Sequence, residues 1–420
     1  MAGHQNRGAA GRGVHPDLFS MLEGAAMFDL TAVQDTLQEF GLDGWLLYDF
    51  RGSNVLARRV LGLDHKPTGT RRSFYFIPAR GTPRKLVHRI ETAALDDLPG
   101  TKTVYLPWQQ LEAGVADMIT GCRRIAMEYA PRVSNPYVSK VDAGVIELVR
   151  STGVEIVSSG DLIQRFEATW DDEQWAMHRE AEQFTTSAFD LAFGLIADRV
   201  RGGGTIRETE VQSAIMDHFH RNGMTTYSPP IIGVGPHSGD PHYEPVVGKD
   251  SPIGSGDFVL IDLWAKMDRP RSVYSDLTRV GFVGETVPSK YADIFRIVAE
   301  ARDAAIHCVQ DAYATGRPLP GWEVDAACRK VIDQAGYGDY FIHRTGHNIG
   351  QEVHGNGAHM DNLETHEERL VLRRTCFSVE PGIYFEEFGI RSEINVFVDG
   401  DGKVHVTGGL QKHVLPILAG

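Results

Sequence analysis

Residues 343–354 read HRTGHNIGQEVH, which places His343, His347 and His354 within twelve positions and sets Gly346 and Gly350 around the middle histidine. The glycines let the backbone turn and approach its neighbours closely. A single histidine in such a setting is an ordinary loop residue, whereas three at this spacing point to a site. The same half of the chain carries four acids at the edges of apolar runs. They are Asp262 in FVLIDLW (258–264), Asp276 in YSDLTR (274–279), Glu380 in FSVEPGIY (377–384) and Glu393 in GIRSEINVF (389–397). An ionised carboxylate in an apolar strand is costly unless positive charge meets it. Any one of the four reads as a salt-bridged or exposed acid, and it is their recurrence that suggests a shared centre.

Four carboxylates and one imidazole, His347, make a hard, oxygen-rich donor set. It suits Mn²⁺, Co²⁺ or Fe²⁺, admits Zn²⁺, and disfavours copper or an iron–sulfur cluster. Four carboxylates would overload one divalent ion, so two ions balance the charge.

Outward from these motifs, the second half predicts helices at 171–200, 207–222, 288–315 and 322–335. Strands are expected at 258–264, 278–283, 375–380, 389–397 and 403–406. Helices mixed with largely antiparallel strands predict an α+β catalytic domain. The first half alternates helices (29–40, 108–120, 138–151) with strands (44–50, 73–77, 84–88, 124–128, 154–158). That pattern predicts a compact α/β domain without a phosphate-binding glycine loop. A length of 420 residues favours two domains, drawn here as 27–168 and 169–420, after an arm at 1–26 rich in Gly, Ala and polar residues.

Composition excludes several classes. The net charge of −14 argues against a nucleic-acid binder. No apolar run reaches membrane-spanning length, and no secretory signal is visible. Cys122, Cys308, Cys328 and Cys376 form no CxxC pair and suggest free thiols in a reducing, cytoplasmic setting.

The order Asp, Asp, His, Glu, Glu with these local motifs resembles the pita-bread metallopeptidases, a family that includes methionine aminopeptidase, aminopeptidase P and prolidase; creatinase shares the fold without the metals. YSDLTR is similar to the family's second-aspartate motif, HRTGHNIGQEVH to its histidine motif, and FSVEPGIY and GIRSE to its two glutamate motifs. The likeness covers roughly 171–410. The domain before it is similar in layout to the N-terminal domain of prolidase, aminopeptidase P and creatinase.

The resemblance implies that Asp262 binds one metal, Asp276 and Glu393 bridge both, and His347 and Glu380 complete the second. A metal-bridging water would be the nucleophile, with Glu380 able to take its proton. His354 would contact substrate and stabilise the tetrahedral intermediate, His343 would be a second active-site histidine, and His242 in PHYEP would meet the scissile nitrogen or leaving group. Two roles are open to Arg391: anchoring a substrate carboxylate, or neutralising the ligands. The resemblance further implies a homodimer and two divalent ions, Mn²⁺ foremost.

The sequence departs from the family pattern at three places. Asp262-Leu263-Trp264 stands where the family has Asp-x-Gly. The Asp262–Asp276 interval is longer than usual, with an enlarged turn at 267–272. Gly355-Asn356-Gly357 replaces the usual Glu-x-Pro after the substrate histidine. Trp264 is then either a substrate platform or a packed strand residue. The expected function is a proline-specific peptidase, an Xaa-Pro dipeptidase or aminopeptidase. The alternative is a metal-dependent non-peptidase on the same fold, such as a dimethylsulfoniopropionate lyase or a small-amide hydrolase. A non-enzymatic binding member disagrees with the intact ligand set.

Overall fold

Alternate residues of the strand Phe258–Met267 serve different parts of the molecule. In this computed structural model, which describes residues 28–419, Val259, Ile261, Leu263, Ala265 and Met267 point one way. They join a core with the helices Asp172–Arg201 and Glu208–Arg221. Phe258 and Leu260 point the other way, into a core shared with the helices Ser289–Thr315 and Gly321–Gln334. Asp262 and Trp264 continue that second face beyond the apolar core, as the two-residue period of a strand requires. The carboxylate thus emerges where one core ends.

The strand pairs antiparallel with Ser275–Phe282, Asp262 opposite Thr278 and Trp264 opposite Asp276. Its other edge pairs with Ile231–Val234. A second sheet orders Asn348–Ile349, Thr375–Val379, Ile394–Val398 and Val404–Thr407. The short hairpin Gly382–Tyr384/Gly389–Arg391 stands beside it. Asn395 joins the two sheets, its Nδ2 donating to the Asp276 carbonyl at 2.6 Å and its Oδ1 accepting from the Asp276 N–H at 3.1 Å.

The long helix is capped as its acidic start suggests. Asp171 accepts from Gln174 N–H in a capping box, Asp172 and Glu173 occupy the first turn, and Gly202 closes the end. Before it, a six-stranded mixed sheet runs in the order Thr101–Tyr105, Arg84–His88, Ser73–Pro78, Gly44–Asp49, Arg124–Met127, Glu155–Ser158. Helices cover its two faces in separate apolar clusters.

Several sequence expectations shift. The helix expected at 138–151 is confined to Ala143–Arg150, because Asp142 caps it by accepting from Val145 N–H. The single strand expected at 389–397 is two, Gly389–Arg391 and Ile394–Val398. The helices Val55–Val60 and Gly160–Glu167 and the polar edge strand Thr101–Tyr105 were not anticipated. The expected arm at 1–26 and the domain start at Met27 lie outside the described residues. Among the described residues no helix is long and apolar enough to cross a membrane, and all four cysteines are free.

Candidate metal centre

The five expected donors come together because of strand register. Directly opposed residues of an antiparallel pair share a face, so Asp262, Thr278, Trp264 and Asp276 lie on one side of the first sheet. In the second sheet Val379 pairs with Ile394. One further step along that register sets Glu380 against Glu393. His347 stands beside Ser378, donating its N–H to Ser378 Oγ at 2.9 Å and accepting from Ser378 N–H at 2.9 Å.

The donor atoms of Asp276, His347 and Glu393 lie within 4.8 Å of one another. His347 Nε2 is 3.4 Å from Asp276 Oδ2 and 3.3 Å from Glu380 Oε1. Asp262 joins through Thr278, whose Oγ1 lies 3.0 Å from Asp262 Oδ1 and 2.8 Å from Glu393 Oε2.

The electrostatics show what the cluster can accommodate. Burial, then the neighbouring Asp262 and Glu380 carboxylates, push Asp276 well above the usual carboxylate range. Glu393 is raised in the same way by burial and by Asp276, Glu380 and Asp262. Glu380 is pushed up to about 7, chiefly by burial. Burial also holds His347 well below the ordinary imidazole value, helped by His354 and Arg344. A neutral imidazole and four crowded carboxylates make a set that protons or cations must neutralise. The residues present fit divalent metal ions.

One protein cation already sits here. Arg391, 3% exposed, forms an ion pair with Asp262 Oδ2 and donates from Nε to Thr278 Oγ1 at 3.0 Å and from Nη1 to Tyr384 Oη at 3.0 Å. Each of its three guanidinium nitrogens donates within the protein, which places its charge against the acids. Tyr384 Oη in turn meets His343 Nε2 at 2.8 Å, and His343 Nδ1 meets the Arg344 carbonyl at 2.7 Å. Both ring nitrogens of His343 are thus engaged by protein groups, one of them Tyr384 Oη. Burial lowers the His343 pKa to about 3, with Arg391 the next cause.

His354 stands edge-on to His347, ring centroids 4.2 Å apart. It is exposed, and its pKa is lowered to about 4 by desolvation, then by Arg344 and His242. His242 lies exposed on the loop following Gly235–Gly239, near enough to His354 to oppose its protonation.

Trp264 is 9% exposed and packs with Trp170, Ile231, Val273, Tyr274 and Phe397, with Tyr227 stacked at 5.9 Å between centroids. Its ring is packed, on the same sheet face as Asp276. The glycine departures have a structural cause as well. Gly355 N–H donates to the Asn348 carbonyl at 2.7 Å and Gly357 N–H to Asn348 Oδ1 at 2.9 Å. A Cβ at Gly357 would stand 2.6 Å from Asn348 Nδ2. The loop after His354 therefore wraps the Asn348 side chain.

Residues 176–400 match the model of metallopeptidase family M24. The chain belongs to that family. Its pita-bread architecture is shared with the solved dipeptidase PepE from Mycobacterium ulcerans, with a TM-score of 0.69 at 24% identity over 92% of this chain and 96% of that one. The putative dipeptidase YkvY of Bacillus subtilis is 30% identical over 257 residues, 61% of this chain and 64% of that protein. An Xaa-Pro dipeptidase of Lactobacillus delbrueckii subsp. lactis is 33% identical over 205 residues, 49% of this chain and 51% of that protein. Family M24 membership makes this chain a metallopeptidase that uses divalent metal ions, in keeping with the carboxylate cluster.

Sequence reasoning missed three contributors to this M24 site. Thr278 was visible only as part of YSDLTR. Tyr137 comes from the other domain: its Oη accepts from Arg344 Nη2 at 2.9 Å, and its ring lies 6.4 Å from His354. Arg344 itself was hidden among the histidines of its motif.

Proposed function

We propose that this chain is a proline-specific peptidase that cleaves the bond before proline in Xaa-Pro substrates. The observation that carries the reading is the convergence of Asp262, Asp276, His347, Glu380 and Glu393 under one buried guanidinium, with the unengaged imidazole of His354 at its rim. The name of the Xaa-Pro dipeptidase relative supports the substrate class.

In this reading Asp262, Asp276, His347, Glu380 and Glu393 hold two metal ions, with Mn²⁺ proposed for the hard donor set. When bound, such ions polarise the scissile carbonyl and lower the pKa of water. Glu380 would accept the proton of the attacking water at its carboxylate and pass it to the leaving proline nitrogen. Neutral His354 donates a ring N–H to the carbonyl oxygen as negative charge builds there. His242, on the loop following Gly235–Gly239, meets the leaving-group side. Ser378 Oγ, 3.0 Å from Glu380 Oε1, orients that carboxylate.

The same proposal includes a cytoplasmic location, supported by the free thiols. It also includes a homodimer, supported by the edge strand Thr101–Tyr105 and the exposed Leu106 and Trp108 after it. Purified protein loaded with Mn²⁺ or Co²⁺ is expected to hydrolyse Xaa-Pro dipeptides, and Asp276→Ala to lose all measurable activity together with tight metal binding. Absence of cleavage across a panel of proline dipeptides and tripeptides would overturn the reading.

A further inference from the structure

Arg344 is the buried cation that the metal centre does not explain. It is 9% exposed. Several other buried or half-buried arginines meet a carboxylate, as Arg391 meets Asp262, Arg302 meets Asp303, Arg369 meets Glu367 and Arg59 meets Glu167, and half-buried Arg279 donates to main-chain carbonyls such as that of Glu393. Among the described residues Arg344 meets no carboxylate, and its only hydrogen-bond partner is the neutral hydroxyl of Tyr137. Its remaining guanidinium N–H groups find no protein acceptor, yet they are not among the atoms sealed from solvent without a partner. They therefore reach solvent. A cation held this deep without an anion is costly, and the planar fork of guanidinium is the donor that best matches a carboxylate.

The position narrows which carboxylate it meets. Arg344 is close enough to His347, His354 and Glu380 to act on the charge of each. Tyr137 lies edge-on to His354 and 4.5 Å from the His359 ring, with the Arg344 guanidinium 5.5 Å from its own centroid. The cation thus stands at the rim of the reacting centre, where the N-terminal domain closes over it. In a dipeptide the free carboxylate follows the scissile bond by one residue, a reach of about 3.5 Å of extended chain. A longer peptide would carry neutral backbone there and would have to pass the Arg344–Tyr137 clasp.

We propose that Arg344, held by Tyr137, binds the free C-terminal carboxylate of the substrate, so that the enzyme is a dipeptidase and not an aminopeptidase acting on longer chains. This rests on the peptidase reading above. Arg344 is a specificity-determining residue that touches substrate, and Tyr137 is a positioning residue that acts through it.

The test compares Ala-Pro, Ala-Pro amide and Ala-Pro-Ala on the full metal-loaded chain. Wild-type kcat/KM is expected to favour the free acid over the amide by roughly 100-fold, the usual consequence of leaving a buried charge unmet. Arg344→Gln is expected to lower kcat/KM for the acid by about the same factor, mainly through KM, and to change the amide only a few-fold. Tyr137→Phe removes one neutral hydrogen bond and should raise KM for the acid about tenfold, with melting temperature and metal content retained. Arg344→Lys, which keeps charge and bulk but not the fork, provides an intermediate should the glutamine variant fold poorly. Equal wild-type cleavage of acid and amide, or an equal loss on both in Arg344→Gln, overturns the assignment while leaving the peptidase reading intact. Cleavage of none of the three by the wild type overturns both.

Discussion

At Gly346 the backbone lies against the neighbouring strand so closely that any Cβ would collide with the Ser378 carbonyl oxygen. The residue next to it is His347, whose N–H is held by Ser378 Oγ. The glycine therefore sets the position of the nitrogen donor, which gives physical content to its place in HRTGHNIG. Gly346→Ala is expected to destabilise the fold by about 1–3 kcal/mol through overpacking and to weaken metal binding, read by urea unfolding and by metal titration. The five donors themselves were legible as residue types in suggestive settings. Arg391 was legible only as a choice between two roles, since nothing in GIRSE says that Asp262, more than a hundred positions earlier, will take its charge. Trp264 was ambiguous for the same reason: an indole two residues from a metal ligand serves substrate or core depending on which strands cover it.

Elements determine which of these residues meet. The strands Phe258–Met267 and Ser275–Phe282 put Asp262 and Asp276 on one face because their register pairs Asp262 with Thr278. A one-residue slip of either strand would turn its aspartate to the opposite face. The break between Gly389–Arg391 and Ile394–Val398 has a similar role. There Ser392 N–H bonds the Pro381 carbonyl at 3.2 Å and the chain passes from hairpin to sheet, leaving Glu393 at the junction. The helix Asp172–Arg201 contributes a titrating element. His178 is buried on it, with Nδ1 2.8 Å from the Tyr274 carbonyl and Nε2 2.8 Å from Thr407 Oγ1, and burial lowers its pKa to about 4. An unfolded histidine titrates near 6.5. Above that pH both states are neutral and stability is complete. As pH falls from 6.5 toward 4 only the unfolded chain takes up the proton, so stability is lost, on the order of 3 kcal/mol from this residue. His178→Gln keeps a donor and an acceptor without the titration. Its urea-unfolding free energy should fall less between pH 7 and pH 4.5 than that of the wild type, and an unchanged pH slope would refute the assignment.

Across the whole molecule the two halves are tied beside the site. Arg59, in the helix Val55–Val60, donates from Nη1 to Glu167 Oε1 at 2.9 Å and to Glu352 Oε2 at 2.7 Å. Glu352 belongs to the loop that carries His354, and Glu167 is buried and also accepts from Asn356 Nδ2 at 2.9 Å. The N-terminal domain thus steadies the loop that carries His354 as well as supplying Tyr137. Arg59→Ala leaves Glu167 buried without its cation and is expected to cost about 3–5 kcal/mol of stability and to raise KM. Arg59→Lys should recover part of both, as measured by urea unfolding and steady-state kinetics.

The sequence by itself determined the family-level chemistry of HRTGHNIG, YSDLTR, FSVEPGIY and GIRSE, because donor types and apolar periodicity are local properties of the chain. It also determined most helices of the catalytic half, whose caps and apolar stripes are local as well. Only the tertiary structure decided that Arg391 pairs with Asp262, that Trp264 packs against Trp170 and Tyr274, that Gly355 and Gly357 make room for Asn348, and that Tyr137 crosses from the other domain to Arg344. Each of these depends on contacts between residues remote in sequence, and the desolvation and charge they create exist only once the sheets have closed over the site.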